Sequence, residues 1–268
     1  MSAWPQTLTL LGAGKMGQAM LQGWLAAGLD PRRVTIIEPT PSAELIALCQ
    51  AKGISLGAPV GPSEMLVLAV KPQTFAVAAG PALADGRTLV VSIMAGKTIA
   101  NIRERLPHAD AIVRAMPNTP AAVGRGVAGA VAEKALSATQ KSWTENLFKA
   151  VGAFHWLDAE SQIDAVTAIS GSGPAYVFAL VEAMARAGVA LGLSPETAEG
   201  LARATVEGSG ELLHREPGTS AATLRQNVTS PGGTTAAALA VLQGADGLDA
   251  LMARACAAAA KRAGELAG

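Results

Sequence analysis

Aromatic residues make up only 3% of the 268-residue chain, although half of its residues are hydrophobic. The core therefore cannot rest on ring contacts, and Ala, Val, Leu and Ile must fill it, a composition that favours close helix packing. Cysteine is nearly missing: Cys49 and Cys256 are lone and far apart. That excludes a disulfide framework and suits a reducing compartment. Neither sign of charge is in excess, with 21 basic and 21 acidic residues. Such a balance gives no electrostatic footprint for nucleic acid or an anionic membrane, and points to a small molecule as partner. The three histidines, His108, His155 and His214, are scattered, with no Cys or acid at ligand spacing around them, so no metal centre is expected. The opening MSAWPQTLTLLGAG has no basic region ahead of its apolar run. No segment reads as the roughly 20 consecutive apolar residues that a membrane-spanning helix requires. The chain is expected to be soluble and cytoplasmic.

What is present is length enough for two domains, each able to bury its own core. The first half alternates strand and helix: TLTLLGAG and a helix to about Gly28, VTIIEP and SAELIALCQAKG, MLVLAVKP and a short helix, TLVVSIMAG and TIANIRERL, then AIVRAMPN. This alternation predicts a mostly parallel sheet with helices on both faces. The unbroken apolar runs MLVLAV and TLVVSI are those of strands buried on both sides. VGRGVAGAVA and AFHWLD add two late strands around the helix SATQKSWTENLFKAVG. Beyond about Glu160 the strand signals stop and Ala/Leu-rich helical patterns run to the end, interrupted at SGSGP, GLSP, REPGTS and SPGG. The fold class expected is α/β: an N-terminal Rossmann dinucleotide-binding domain over 1–160, then an all-helical domain over 161–268.

Gly12-Ala13-Gly14-Lys15-Met16-Gly17 matches G-x-G-x-x-G between a predicted strand and a predicted helix. In that setting the first Gly allows the turn, the second lets a pyrophosphate reach the backbone, and the third lets helix and strand pack closely, while the helix N-terminus offers N–H groups to the anion. Glu38 falls at the end of the second strand, about 20 residues on, where an acid hydrogen-bonds ribose hydroxyls. A carboxylate there repels the 2′-phosphate of NADPH, whereas Thr40 and Ser42 could donate to one, and Arg32 and Arg33 precede the strand rather than follow it. Physics alone leans toward NADH. Ala69-Val70-Lys71-Pro72 and Ser92-Ile93-Met94-Ala95-Gly96 end two further strands on the edge where ligands lie in open α/β sheets. Lys71 is either a solvated loop cation or a contact to the coenzyme's phosphates or ribose. In Arg114-Ala115-Met116-Pro117-Asn118-Thr119-Pro120 the prolines fix a rigid turn whose Asn and Thr either face the cleft or satisfy local backbone.

In the second half, Ser170-Gly171-Ser172-Gly173-Pro174 interrupts an apolar helical pattern, which predicts a break with a fresh helix N-terminus near Pro174. Asn227-Val228-Thr229-Ser230-Pro231-Gly232-Gly233-Thr234-Thr235 leads into the helix AAALAVL. It is a second Gly-rich loop at a helix N-terminus: either a simple capped turn, or a site whose amides hold a carboxylate while Thr234 and Thr235 supply hydroxyls.

GAGKMG, AVKP, RAMPNTPA, SGSGPAY and NVTSPGGTT, in this order and covering nearly the whole chain, resemble pyrroline-5-carboxylate reductase. The resemblance implies a Rossmann domain and a helical dimerisation domain, dimers assembled further into rings, and a substrate site at the dimer interface beside the nicotinamide. It implies reduction of pyrroline-5-carboxylate to proline by NADPH or NADH. Thr235 matches the hydroxyl donor to the substrate nitrogen, and Asn227, Ser230, Gly233 and Thr234 match positions lining the proline carboxylate and ring. Glu160 matches an acid near that nitrogen. Ala69, Val70, Lys71, Pro72 and Ala95 match cofactor-lining positions beside the Gly12–Gly17 loop. Glu38 departs from the habit of NADPH-preferring members.

The chemistry agrees with a site poor in acids and bases. A cyclic imine is already electrophilic, so its reduction needs chiefly hydride alignment, an anchor for the carboxylate and a donor at nitrogen. Two rivals stand beside this reading. A β-hydroxyacid dehydrogenase shares the layout but keeps a Lys one turn into its interdomain helix, where SGSGPAYVFALVEAMAR has none. A noncatalytic dinucleotide sensor would leave the second loop without a task.

Overall fold

The computed structural model describes residues 3–59 and 61–267. Its chain divides into two compact units, one running through Ser172 and taking in the end of the chain from Ala259, the other Gly173–Ala258. The first unit thus extends past the boundary expected at residue 160. The reason is Ile163, which is fully buried in the same apolar cluster as sheet residues Leu66, Val90 and Ile112.

The first unit is built on eight strands: β1 (Leu8–Leu11), β2 (Val34–Ile37), β3 (Ser55–Leu56), β4 (Met65–Leu68), β5 (Leu89–Ser92), β6 (Ala111–Met116), β7 (Gly126–Ala132) and β8 (Gly152–Trp156). They lie in the order β3-β2-β1-β4-β5-β6-β7-β8. All neighbours are parallel except β6 and β7. The helices between them are α1 (Lys15–Ala26), α2 (Ala43–Lys52), α3 (Phe75–Ala78), α4 (Ile99–Arg105) and α5 (Ala138–Lys149). Both late strands occur as expected, while the two-residue β3 carries too little apolar pattern to be read from sequence.

Alternation along each strand assigns the two faces. Leu8, Leu10, Met65, Val67, Leu89 and Val91 join Met20, Leu21 and Trp24 of α1, Leu45 and Cys49 of α2, and Leu147 and Phe148 of α5. Leu11, Leu66, Leu68 and Val90 join Phe75 of α3 and Ile99 and Ile102 of α4 on the other side. Strands covered on both faces must be apolar throughout, which is why these runs lack polar interruptions. The indole Nε1 of Trp24 donates to the Leu147 carbonyl at 2.9 Å, so the largest side chain of the core is also polar-satisfied.

After α6 (Gln162–Val166) the chain does not break. Thr167–Gly171 forms a π-helical turn, with the Ser172 N–H donating to the Thr167 carbonyl at 2.8 Å, and α7 (Gly173–Ala190) continues directly. The predicted break at SGSGP is therefore corrected to a widened turn, which absorbs the missing N–H and ring bulk of Pro174 without unwinding the backbone. Gln162–Ala190 becomes one helix that is long and apolar enough, by length and composition, to cross a membrane. Reading the stretch as two pieces concealed that length.

The second unit holds α7, α8 (Pro195–Arg215), α9 (Ala221–Asn227), α10 (Thr234–Leu242) and the start of α11 (Leu248–Ala267). Gly188 lets α7 and α8 approach closely, since an added Cβ would stand 3.0 Å from the Cβ of Ala198. Yet these helices bury almost nothing within one chain: α8 buries Ala198 and Ala202, and α7, α9 and α10 bury no residue. Phe178, Leu180, Leu201, Val241 and Leu251 are all more than half or about half exposed.

Candidate functional site

Apart from the short α3 and α6, which lack a side-chain cap, the helices with a described N-cap start in two ways. α2, α4, α5, α8 and α9 are capped by the side chains of Ser42, Thr98, Ser137, Ser194 and Ser220, each accepting a first-turn amide. α1 and α10 begin instead at Gly14 and Gly233, both extended and both without a side-chain cap. A helix so begun leaves its first amides to be satisfied from outside. These are the helices that follow the two Gly-rich loops.

Around α1 the glycines divide by role. Gly12 has φ +92°, and a Cβ there would lie 2.7 Å from the Ala69 carbonyl carbon and the Val70 nitrogen. A Cβ on Gly17 would reach 2.6 Å from the Gly12 carbonyl oxygen, whereas one on Gly14 would meet nothing within 4 Å. Gly12 and Gly17 thus let β1, β4 and α1 close together, and Gly14 faces open space at the helix start, the cradle a pyrophosphate requires. The residues fit a dinucleotide.

Glu38 closes that loop from the side. Its Oε2 accepts the Ala13 N–H at 2.9 Å and its Oε1 accepts the Thr40 N–H at 3.2 Å. The Thr40 hydroxyl also points to Oε1, at 3.4 Å, and the Ser42 hydroxyl caps α2 by accepting the Leu45 N–H. The Thr40 hydroxyl is thus already turned to Glu38, while Ser42 serves α2 as an acceptor. Arg32 pairs with Asp30 before β2, at the opposite end of that strand. Lys71 is exposed, and its ammonium has no partner among the described residues. Its carbonyl accepts from the Thr74 N–H and hydroxyl, which fixes the turn after β4. Ala95, after β5, is exposed.

Asn118 and Glu160 both hold other parts of the chain. Asn118 is buried; its Oδ1 accepts the Val127 N–H at 2.8 Å and its Nδ2 donates to the Ser170 carbonyl at 3.1 Å, so it satisfies backbone. Glu160 Oε1 accepts both the Ile99 N–H at 2.8 Å and Arg114 Nη1 at 2.9 Å. Arg114 is the residue that sequence reasoning passed over. Its side chain is only 5% exposed and its Nε meets no partner among the described residues. A lone cation inside the apolar strand AIVRAM was the available signal, since Arg is seldom buried unless paired.

In the second unit, the NVTSPGGTT loop follows α9. Gly233 donates to the Ser230 carbonyl at 3.0 Å, Gly232 has φ +69°, and a Cβ on Gly233 would stand 2.5 Å from Ser230 Oγ. Two adjacent glycines are thus required, one for its backbone angle and one for its bareness. Thr234 and Thr235 open α10, and neither hydroxyl has a hydrogen-bond partner among the described residues. Asn227 ends α9, exposed.

Comparison with known proteins agrees with both halves. A family model described as pyrroline-5-carboxylate reductase dimerisation matches residues 160–266, and one described as NADP oxidoreductase, coenzyme F420-dependent, matches residues 7–96. A pyrroline-5-carboxylate reductase of Pseudomonas aeruginosa is 40% identical, with 97% of this chain and 96% of that protein covered. One from Pasteurella multocida is 38% identical over 88% of this chain and 89% of that protein. Among solved structures, a pyrroline-5-carboxylate reductase from Coxiella burnetii matches with a TM-score of 0.89 at 36% identity, covering 98% of this chain and 99% of that one. A Plasmodium falciparum pyrroline carboxylate reductase with NADP bound matches with a TM-score of 0.79 at 28% identity, each chain being covered to 98%.

Proposed function

The chain belongs to the pyrroline-5-carboxylate reductase family and reduces pyrroline-5-carboxylate to proline with a reduced nicotinamide dinucleotide, and on that premise we propose how its residues divide the work. The Gly12–Gly17 loop, with Ala13, Gly14, Lys15 and Met16, holds the coenzyme's pyrophosphate on the α1 amides. Glu38 faces the adenosine ribose. Ala69, Val70, Lys71, Pro72 and Ala95 border the rest of the coenzyme, Lys71 as its cation. When bound, the reduced nicotinamide would supply the hydride for the imine carbon, and a proton taken up from water at the nitrogen completes the amine.

The α10 loop receives the substrate. Its first-turn amides, beginning at Thr234, take the carboxylate, with Gly233, Ser230 and Asn227 beside them, and the Thr235 hydroxyl donates to the imine nitrogen. The observation that carries this reading is the bare start of α10: a glycine N-cap with no side-chain bond, followed by two threonines whose hydroxyls have no partner among the described residues. An N-terminus left in this state attracts an anion and presents two donors beside it. Orientation of a reactive imine against a hydride donor is worth several kcal/mol, so no strong base is needed.

The family's dimerisation match covers the apolar Gln162–Ala190 helix, and the chain is an oligomer. We take these faces to meet a partner subunit rather than a bilayer, the dimers to assemble into rings, and the enzyme to work in the cytoplasm; the balanced charge and the two lone cysteines support that reading.

Thr235→Ala tests the assignment. Loss of one hydrogen bond to a charging nitrogen, about 1.5–3 kcal/mol, lowers kcat/KM for pyrroline-5-carboxylate by roughly 10- to 100-fold. Coenzyme binding stays at the wild-type level and Thr235→Ser recovers most of the rate. Wild-type turnover by Thr235→Ala would remove Thr235 from the mechanism.

A further inference from the structure

The segment between β5 and α4, Ile93–Thr98, carries Ala95 and is tied down at three points. The Met94 N–H donates to Ser92 Oγ at 3.3 Å. The Ile99 N–H, at the start of α4, donates to Glu160 Oε1 at 2.8 Å. Gly96, with φ +66°, lies so close to the end of α11 that an added Cβ would come 2.6 Å from the Leu266 carbonyl oxygen. Two of the three ties come from residues far along the chain.

The middle tie has a fixed foundation. Glu160 Oε1 also accepts Arg114 Nη1 at 2.9 Å, and Arg114 sits on β6 in register with Ser92 of β5. A guanidinium only 5% exposed in a strand buried along its length cannot wander with solvent. Its remaining Nε is unpartnered among the described residues, so Glu160 is the anion that holds it. One carboxylate oxygen therefore joins β6 to the first turn of α4, and the Ile93–Thr98 segment is stretched between that joint and the end of β5.

We infer that Glu160 is a positioning residue for the coenzyme: through Arg114 and the Ile99 amide it sets the backbone of Met94–Gly96 against which the nicotinamide end is aligned. This rests on the reading of Ala95 as a coenzyme contact. It gives Glu160 a task other than direct contact with the substrate nitrogen, and the two tasks have different readouts.

The experiment compares Glu160→Ala, Glu160→Gln and Ala95→Trp, each first shown to be folded by thermal unfolding. Binding of NADPH and of NADH is measured by nicotinamide fluorescence without substrate, and KM for pyrroline-5-carboxylate at saturating coenzyme. Glu160→Ala is expected to raise the Kd of both coenzymes about tenfold and to leave the KM for pyrroline-5-carboxylate unchanged. Glu160→Gln, which keeps an acceptor for both donors, restores most of the affinity. Unchanged coenzyme Kd in Glu160→Ala, with a raised KM for pyrroline-5-carboxylate, would overturn the inference and return Glu160 to the substrate. Ala95→Trp is expected to weaken coenzyme binding; no change there would overturn the premise, however the Glu160 variants behave.

Discussion

The backbone N–H of Ala13 donates to Glu38 Oε2 at 2.9 Å, tying the second residue of the glycine loop to the end of β2. The acid is thus a brace for the loop as well as the group proposed to face the ribose. Its two oxygens serve different donors, since Oε1 receives Thr40.

That double duty predicts a separable effect for Glu38→Gln. The amide keeps an oxygen for Ala13 and gives up only the longer, exposed bond from Thr40, so the loop stays braced, but the charge that opposes a 2′-phosphate is gone. Between two unit charges at about 4 Å the interaction is roughly 1 kcal/mol in water and about 4 kcal/mol near a protein surface, and a figure near the low end is a tenfold effect. The ratio of kcat/KM for NADPH to that for NADH should rise about tenfold in Glu38→Gln, with little change in thermal stability. An unchanged ratio would show that the ribose end of the coenzyme is read elsewhere.

The glycines of the loop make a second, sharper contrast. Gly12→Ala places a Cβ at φ +92° and 2.7 Å from backbone atoms of Ala69 and Val70, which neither can yield cheaply. A cost of about 3 kcal/mol in stability is expected, seen as a lowered Tm before any ligand is added. Gly14→Ala meets nothing within 4 Å and has an ordinary backbone angle, so stability should hold within about half a kcal/mol. Its methyl stands where the pyrophosphate approaches, and coenzyme Kd should rise at least tenfold. If both variants lost stability alike, Gly14 would be a structural glycine and the loop's open space would have another meaning.

The sequence patterns that proved legible are those with strong local periodicity. MLVLAV and TLVVSI are apolar without break because β4 and β5 are covered on both faces, and alternation with helices made the parallel sheet readable. The family followed from motifs at specific positions, and with it the hydroxyacid dehydrogenase and sensor readings lost their ground. What local pattern could not carry is anything decided by a partner far along the chain. The SGSGP stretch has residues that break helices, yet a π turn closed by Ser172 and Thr167 absorbs them. The family's dimerisation match begins at residue 160, whereas the compact units part at Ser172, with Ile163 packed under the sheet. Arg114 and Glu160 lie 46 residues apart, and no window of sequence contains both. Sequence leaves Asn118 either facing the cleft or satisfying backbone, and its partners, the backbone of Val127 and Ser170, decide for the second.

The helical unit carries the last prediction, because its amino acids make sense only beside a second copy. α7, α9 and α10 bury no residue within the chain, although they are rich in Ala, Val and Leu. Phe178 is 63% exposed and Leu251 54% exposed. Burying a side chain of this size is worth about 1.5–3 kcal/mol, and a charge in its place must be desolvated against an apolar neighbour. Phe178→Asp combined with Leu251→Asp should therefore lower the mass measured by sedimentation velocity toward that of a single 27.0 kDa chain at micromolar concentration. Because a helical unit without its own core is stabilised by its partner, the same variant should unfold at a lower temperature, and the wild-type midpoint should rise with protein concentration. A variant that kept its oligomeric mass and its midpoint would show that neither residue lies where the copies meet.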